Sequence, residues 1–360
     1  MDLGFLLKSE EYFVVIDLII ENGKLNTEKI DFSKLKNKRI LLTGCTGLIG
    51  INLLSAIQLV KDTYNIEVFC LVNKIPEYPF KHFFEGCFVV QGDLTNSDSI
   101  NYLLNIFSEN QYGVDYIIHA AGYAQPKKFT GNKLNTILVN TKTTLELFKL
   151  LNPGGTFLFV STSELYSGIN EENIKEDRMG STNTDHSRSC YIDSKKCGET
   201  ILYSFKEKGY NIKIARVSLC YGPGTKKDDC RVISEFVKKG ILENKIDLLD
   251  TGESIRTYCY VSDTTEMLWN ILFNGKDIVY NIGGISKVSI LEIAKKIANE
   301  LHCEVSIPEK NDKSLGGNPQ IVNVSIEKYL KEFGNKNFID INFGISKNVN
   351  WIKYFYEKKY

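Results

Sequence analysis

The sequence predicts an α/β fold, a doubly wound parallel sheet with a smaller C-terminal α/β lobe. Three observations predict it. The short apolar run Arg39-Ile40-Leu41-Leu42-Thr43 ends in glycines at 44, 47 and 50, with an amphipathic segment directly behind. From Lys38 to Val217, short β-branched apolar runs alternate with longer runs of helical period. The residues after several of those runs (Gly44, Asp93, Ala120, Ala121, Gly122, Thr162) fall on one sheet edge, where ligands of such sheets bind.

Taken in order, residues 1–36 hold one apolar-periodic segment, about Glu10 to Glu21, expected as a helical extension on the outside of the core. Strands are expected at Ile40–Thr43, Glu67–Val72, Phe88–Gln91, Tyr116–His119, Thr156–Ser161 and Ile212–Val217. Helices are expected at Leu48–Val60, Ser97–Glu109, Asn135–Leu151 and Tyr191–Lys208, the last ended by Gly209. After Val217 the rhythm loosens. Helical periods recur at Asp228–Lys239, Asp263–Phe273 and Ile290–Leu301. Between them lie the turn-rich stretches Tyr221-Gly222-Pro223-Gly224, Thr251-Gly252-Glu253 and Asn281-Ile282-Gly283-Gly284. The expected division is an N-terminal helical extension over 1–36, a dinucleotide-binding domain over 37–217, and mainly a substrate lobe over 218–360 with some crossover back to the sheet. A cleft between the last two is the expected site.

Bulk properties narrow the function. With 360 residues and 43% apolar content, the chain can bury a sizeable core. Basic and acidic residues balance at 44 each, so no charge surplus points to nucleic acid. Nine cysteines without a C-x-x-C pair read as free thiols in a reducing compartment. The four histidines are far apart, with no metal-binding spacing, so no metal is expected. No secretory leader and no apolar run of membrane-spanning length is seen; a cytoplasmic protein is expected, with neither membrane nor nucleic acid as partner.

The glycines carry the first chemical argument. Gly44 suits a turn needing unusual backbone angles, Gly47 lets the main chain approach a ligand, and Gly50 lets the helix pack on the strand. The helix start offers N–H groups and a positive dipole end, which suit a pyrophosphate. The spacing is G-x-x-G-x-x-G, not the commoner G-x-G-x-x-G, and no Gly-Lys-Ser/Thr follows. A plain tight turn is the blander reading. The second argument is Tyr191 and Lys195, four apart at a helix start and so on one face. A nearby ammonium is expected to favour the phenolate and lower the phenol pKa, suiting Tyr191 to take a proton from a sugar hydroxyl while hydride leaves the same carbon. Y-x-x-x-K also arises by chance as an ordinary helix pair. Thr162 is placed to hydrogen-bond the reacting oxygen, and Glu164 to act as a second acid/base or as a solvated loop acid.

Together these pieces resemble the extended short-chain dehydrogenase/reductases that act on nucleotide sugars. The match runs through Thr43–Gly50, Gly92-Asp93-Leu94, His119-Ala120-Ala121, Ser161–Tyr166, Tyr191–Lys195, Arg216 with Tyr221-Gly222-Pro223-Gly224, and Arg256–Asp263, over roughly residues 38–300. The resemblance implies a Rossmann-type fold and bound NAD, with NADP open. It implies Gly44, Thr46, Gly47, Leu48 and Ile49 at the pyrophosphate turn. It also places Asn73, Asp93, Leu94, Ala120, Ala121, Tyr191 and Lys195 along the rest of the cofactor, and Thr162, Tyr191, Lys195 and Glu164 at the chemistry. Asn73-Lys74 stands where an acid usually meets the NAD ribose.

Finer details resemble UDP-glucuronate decarboxylases: Thr162-Ser163-Glu164, the loop Ala124-Gln125-Pro126 with Phe129 and Asn132, Arg188-Ser189-Cys190-Tyr191, Asp229-Cys230-Arg231-Val232, and Arg256. By that resemblance Pro126, Ser163, Arg188, Arg231 and Arg256 touch substrate. Leu219 replaces a frequent Asn and Cys230 a frequent Gly. The alternatives are a 4,6-dehydratase, for which Ser163 is a poor acid, a 4-epimerase or C4 oxidoreductase, and a catalytically silent cofactor-binding protein. The helices at 135–151 and 191–208 resemble a four-helix dimer interface, so a homodimer is expected.

Overall fold

A computed structural model describes residues 3–357 except 78, 110–111, 309–320 and 335–336, with backbone alone at 3–15, 321–322 and 357. The chain runs α1 (Leu3–Lys29), β1 (Arg39–Thr43), α2 (Leu48–Tyr64), β2 (Glu67–Val72), β3 (Phe88–Gln91), α3 (Asp98–Glu109), β4 (Val114–His119), α4 (Pro126–Gly131), α5 (Lys133–Asn140), α6 (Lys142–Leu147) and β5 (Leu151–Thr162). It continues through α7 (Ser189–Lys206), β6 (Asn211–Val217), β7 (Leu219–Tyr221), α8 (Val232–Glu243), β8 (Lys245–Asp247), β9 (Ile255–Tyr260), α9 (Val261–Asn274) and β10 (Val279–Ile282). The last elements are β11 (Ser286–Ser289), α10 (Ile290–Leu301), β12 (Glu304–Ser306), β13 (Ile321–Val322), α11 (Glu327–Phe333) and α12 (Ile341–Glu357).

Seven strands form one sheet in the order β3-β2-β1-β4-β5-β6-β10. Every neighbour pair in it is parallel. Near-continuous apolar strands demand cover on both faces, and alternate residues supply it. Ile40, Leu42, Leu158 and Val160 join one apolar cluster with α1, α2 and α9. Leu41, Phe157 and Phe159 join the other, with α3 and α7. The strand order reverses between β1 and β4, which opens the crevice used by ligands of such sheets. Beyond it lie a small sheet in which β9 pairs with β7, β11 and β13, and a two-stranded pair β8–β12.

The expected strands are all present, and the differences have local causes. Asn281 and Ile282, expected in a turn-rich stretch, belong to β10, which adds the seventh strand by pairing with β6. The single helix expected at Asn135–Leu151 is broken: Thr141 (φ −116°, ψ −76°) separates α5 from α6, and Leu151 already pairs with Val114 in the sheet. The helix expected from Asp228 starts at Val232, because Asp229 uses its carboxylate to hold the loop before it. The N-terminal helix is not an external appendage. Ile16 and Ile19 are buried in the main core, Asn22 Nδ2 donates to Asn52 Oδ1 at 2.9 Å, and Asn26 Nδ2 donates to the Ser262 carbonyl at 3.0 Å.

Candidate active site

The glycine turn is as tight as its spacing suggests. Gly44 has φ +72°, and a Cβ there would lie 2.6 Å from the Ala120–Ala121 backbone. A Cβ on Gly50 would sit 2.2 Å from the Gly44 carbonyl oxygen, whereas one on Gly47 would meet only that oxygen, at 3.3 Å. Gly47 is the N-cap of α2 and brings no capping side chain, so the helix start faces outward with only backbone at its tip. Thr46, Leu48 and Ile49 are half-buried around it. These positions fit a pyrophosphate lying against main chain.

A fixed hydrogen-bond chain holds the neighbouring strand end. The buried His119 ring contacts the Val139 carbonyl through Nε2 at 2.9 Å. A carbonyl can only accept, so Nε2 carries the proton and Nδ1 accepts from the Thr43 hydroxyl at 2.7 Å. Thr43 Oγ1 then accepts from the Ala121 N–H at 3.2 Å. Burial first, and then the Lys195 charge, pull the His119 pKa down to about 3, so the ring stays neutral. The chain fixes Ala120 and Ala121 against the turn.

Asn73 and Asp93 sit at the far side of the crevice, one and two residues past β2 and β3, and both are exposed. Asp93 Oδ1 accepts from the N–H and hydroxyl of Thr95, at 2.9 and 2.8 Å. Leu94 is buried, and its carbonyl accepts from the Thr143 hydroxyl. Lys74 is paired with Glu77 at 2.8 Å.

At the other end, Thr162 closes β5 and Tyr191 stands in the first turn of α7. Thr162 lies close enough to the Tyr191 hydroxyl to pull its pKa down, and the Thr162 hydroxyl accepts from the Glu164 N–H at 3.2 Å. Tyr191 is 6% exposed, and Phe129 of α4 stacks on its ring at 4.8 Å. Burial pushes the phenol up to about 12; Thr162, Arg188 and Arg231 pull downward, and Glu164 pushes up. The lowering expected from Lys195 is therefore not what the chain produces: no such effect stands among the causes, and burial wins. Lys195 is spent differently. Its Nζ donates to the Val160 carbonyl at 2.7 Å and lies 4.4 Å from the Phe159 ring centroid. Burial takes the lysine down to about 7, with Glu199 opposing.

Glu164 is gripped by the Arg188 guanidinium, both about one-third exposed. Arg188 sits 5.6 Å from the Phe129 centroid. Arg231 is bound by the buried Asp229, whose carboxylate meets Nε at 3.0 and 3.1 Å and Nη2 at 2.7 Å. Asp229 also accepts from Gln125 at 3.0 Å, and Lys128 meets Asp228 at 2.8 Å, so the α4 loop is latched to the lobe. Arg256 is half-buried on β9, and its charge, like that of Arg231, acts on Tyr258. Ser163 is half-buried beside Thr162, and Pro126 is exposed at the start of α4. Thr162, Tyr191, Glu164, Arg188 and Arg231 thus share one electrostatic neighbourhood, while Asn73 and Asp93 do not reach it.

Three contacts were not foreseen from sequence, although the 124–126 loop, Phe129 and the 229–232 stretch had been singled out. Phe129 covers Tyr191. Gln125 latches onto Asp229. Glu199 forms a buried ion pair with Arg216 (2.7 Å) and accepts from Ser161 at 2.6 Å. The residues of the first two carried a signal through the family resemblance, though not their pairing; for the last, 191, 195 and 199 fall on one helix face.

The family profile described as NAD dependent epimerase/dehydratase matches residues 40–283, more than half of the chain. The chain belongs to this family. UDP-glucuronic acid decarboxylase 1 of Danio rerio is 26% identical over 329 residues, spanning 89% of this chain and 73% of that protein. UDP-glucuronic acid decarboxylase 6 of Arabidopsis thaliana is 29% identical over 280 residues, 75% and 76% of the two chains. Among solved structures, the UDP-glucuronic acid 4-epimerase from Bacillus cereus, in complex with UDP-glucuronic acid and NAD, superposes with a TM-score of 0.71 at 21% identity. The match covers 88% of this chain and all of that one. It confirms the fold. As a family member, the chain is an NAD-dependent enzyme.

Proposed function

We propose that this enzyme oxidises the C4 hydroxyl of a nucleotide sugar and decarboxylates a nucleotide uronate, with UDP-glucuronate as the leading substrate. The observation that carries the reading is the buried Tyr191 beside Thr162, with the Glu164–Arg188 ion pair next to them. The decarboxylase relatives support it. In this reading Gly44, Thr46, Gly47, Leu48 and Ile49 hold the cofactor pyrophosphate, Asn73, Asp93 and Leu94 its adenosine half, and Ala120, Ala121, Tyr191 and Lys195 the nicotinamide half. The NAD-dependent family to which the chain belongs favours NAD over NADP.

NAD held by these residues would supply the hydride chemistry at C4, as acceptor first and as donor at the end of the cycle. Tyr191 takes the hydroxyl proton, and Thr162 holds the same oxygen and shares that proton. The resulting ketone leaves the C5 carboxylate β to a carbonyl, so carbon dioxide departs with its electrons delocalised onto the C4 oxygen. Arg188 and Arg256 orient the carboxylate and Arg231 the diphosphate. Glu164 moves the proton at C5. The latch from α4 to the 228–231 loop excludes water. We further propose a cytoplasmic homodimer: Leu134 and Ile137 of α5, Leu145 of α6 and Tyr203 of α7 expose apolar surface.

Mass spectrometry of the products from UDP-glucuronate, dTDP-glucose and GDP-sugars tests the reading. Loss of carbon dioxide from UDP-glucuronate, abolished in Tyr191→Phe, is expected. Loss of water from a neutral sugar assigns a dehydratase instead, inverted C4 signals at unchanged mass an epimerase, and turnover of none overturns the proposal.

A further inference from the structure

The loop between β7 and α8 carries Asp229 and Arg231, and three helices pin it along its length. Gly222 and Gly224 turn it with φ +137° and +106°, and Asn52 of α2 donates to the Pro223 carbonyl at 2.8 Å. The next two contacts come from α12. The Trp351 indole N–H donates to the Thr225 carbonyl at 2.7 Å, and the Tyr356 hydroxyl donates to the Lys227 carbonyl at 3.0 Å. The Lys227 ammonium lies 5.2 Å from the Tyr356 ring centroid. From Asp228 onward the contacts come from α4 and the residue before it. Lys128 meets Asp228, while the Gln125 side chain donates to the Asp229 carboxylate and accepts from the Cys230 N–H at 3.3 Å.

The base of this arrangement is anchored. Ile345, Val349, Trp351 and Ile352 of α12 are buried in the main core. Phe80, from the connection between β2 and β3, meets the Trp351 ring edge-on at 5.8 Å, and Lys347 pairs with Glu21 of α1 at 2.6 Å. Thr225 is buried as well, where an unpaired carbonyl is costly. The position of a loop is set by the scaffold that grips it, and here α12 is part of that scaffold.

We propose that Trp351 and Tyr356 of α12 are positioning residues for the cleft: by fixing the carbonyls of Thr225 and Lys227 they set the place of Arg231 and keep α4, with Phe129, over Tyr191. Lys227 and Asp228 are neighbours, so about 3.8 Å of chain separates the α12 contact from the α4 contact. A shift at Lys227 reaches Lys128 and Gln125 without crossing a helix or a strand. Asp229 then spreads it, because one carboxylate binds both Gln125 and Arg231. What Arg231 binds rests on the nucleotide-sugar reading above; the link from α12 to α4 does not.

Tyr356→Phe keeps the ring and removes one hydroxyl, and Trp351→Phe removes the indole N–H. Hydrogen exchange read by mass spectrometry is expected to speed up in Tyr356→Phe over 225–231 and over 125–131 alike, with 40–60 unchanged. Faster exchange confined to α12, or to 225–231 with 125–131 at the parent rate, overturns the link. UDP titration of Tyr356→Phe is expected to show roughly fivefold weaker binding with NAD affinity held. Unchanged UDP affinity, or equal losses for UDP and NAD, overturns the positioning of Arg231. Joining Tyr356→Phe to Gln125→Ala should lose less UDP affinity than the product of the two single losses, since both free one loop. Losses that multiply mean independent sites and overturn the proposal. Trp351→Phe is expected to act in the same direction; if it does not fold, Tyr356→Phe decides alone. If the parent chain binds no UDP, the substrate reading fails, and the exchange rates decide the link by themselves.

Discussion

Phe129 lies flat on Tyr191, with ring centroids 4.8 Å apart and planes 3° from parallel. The two residues come from elements that sequence order keeps far apart, α4 and α7, and the contact is what seals the phenol from water. Desolvation is the largest cause holding Tyr191 near 12, so the residue that desolvates it sets its readiness as a base. Phe129→Leu removes part of the cover with modest loss of volume. A lower Tyr191 pKa is expected, so the ascending limb of kcat/KM against pH moves to lower pH. An unmoved limb means that the stack is packing alone.

Arg188→Ala tests the carboxylate subsite. The guanidinium that now grips Glu164 is proposed to orient a substrate carboxylate, and a charge-assisted hydrogen bond contributes about 2 kcal/mol, roughly thirtyfold. UDP-glucuronate affinity should fall by that factor in a calorimetric titration, with UDP-glucose affinity nearly unchanged. Equal losses for both sugars would place Arg188 at the diphosphate.

The glycine turn separates two kinds of damage. Gly50→Ala drives a methyl into the Gly44 carbonyl and should lower thermal stability and NAD binding together. Gly47→Ala meets only one atom at 3.3 Å in the chain itself, so the melting temperature should hold while NAD binding weakens. If Gly47→Ala binds NAD as tightly as the parent, the pyrophosphate does not lie against that residue.

Glu199→Gln leaves Arg216 buried beside a neutral amide. The cost of breaking such a pair is about 3–5 kcal/mol, read as a shift in the urea midpoint. Because the Glu199 charge also raises Lys195, its removal should let the lysine pKa drop further below about 7. Denaturation across pH gives the sign. A folded-state lysine lowered below its unfolded value binds fewer protons than the unfolded chain between the two values, so stability rises with pH there, over a wider window in the variant.

The fold was legible because buried parallel strands write themselves as short β-branched runs, and all six expected strands lie in the sheet. β10 escaped because Val279–Ile282 is four residues flanked by glycine turns, and its partner β6 lies a whole lobe earlier. The break at Thr141 escaped because apolar periodicity continues across it, while the backbone angles that interrupt the helix have no sequence mark. In the site, Thr162 and Tyr191 were both singled out from sequence, and the fold brings them into one electrostatic neighbourhood. The influence of Lys195 on Tyr191 was misjudged, since helical spacing gives a shared face but not the carbonyl that Nζ chooses. The Gln125–Asp229 bond spans more than a hundred residues, and no local pattern encodes such a contact.

The return of β10 to the edge of β6 also bears on how the chain is made. A ribosome releases β1 to β6 in order, but β6 must wait for the whole of β7 to α9 before its outer hydrogen bonds are met. During that interval the nascent sheet carries a naked edge, the feature by which one polypeptide templates onto another. The edge that finally closes the sheet is thus the one exposed longest during synthesis, and cellular yield should respond to translation speed between Val217 and Val279 more than anywhere upstream.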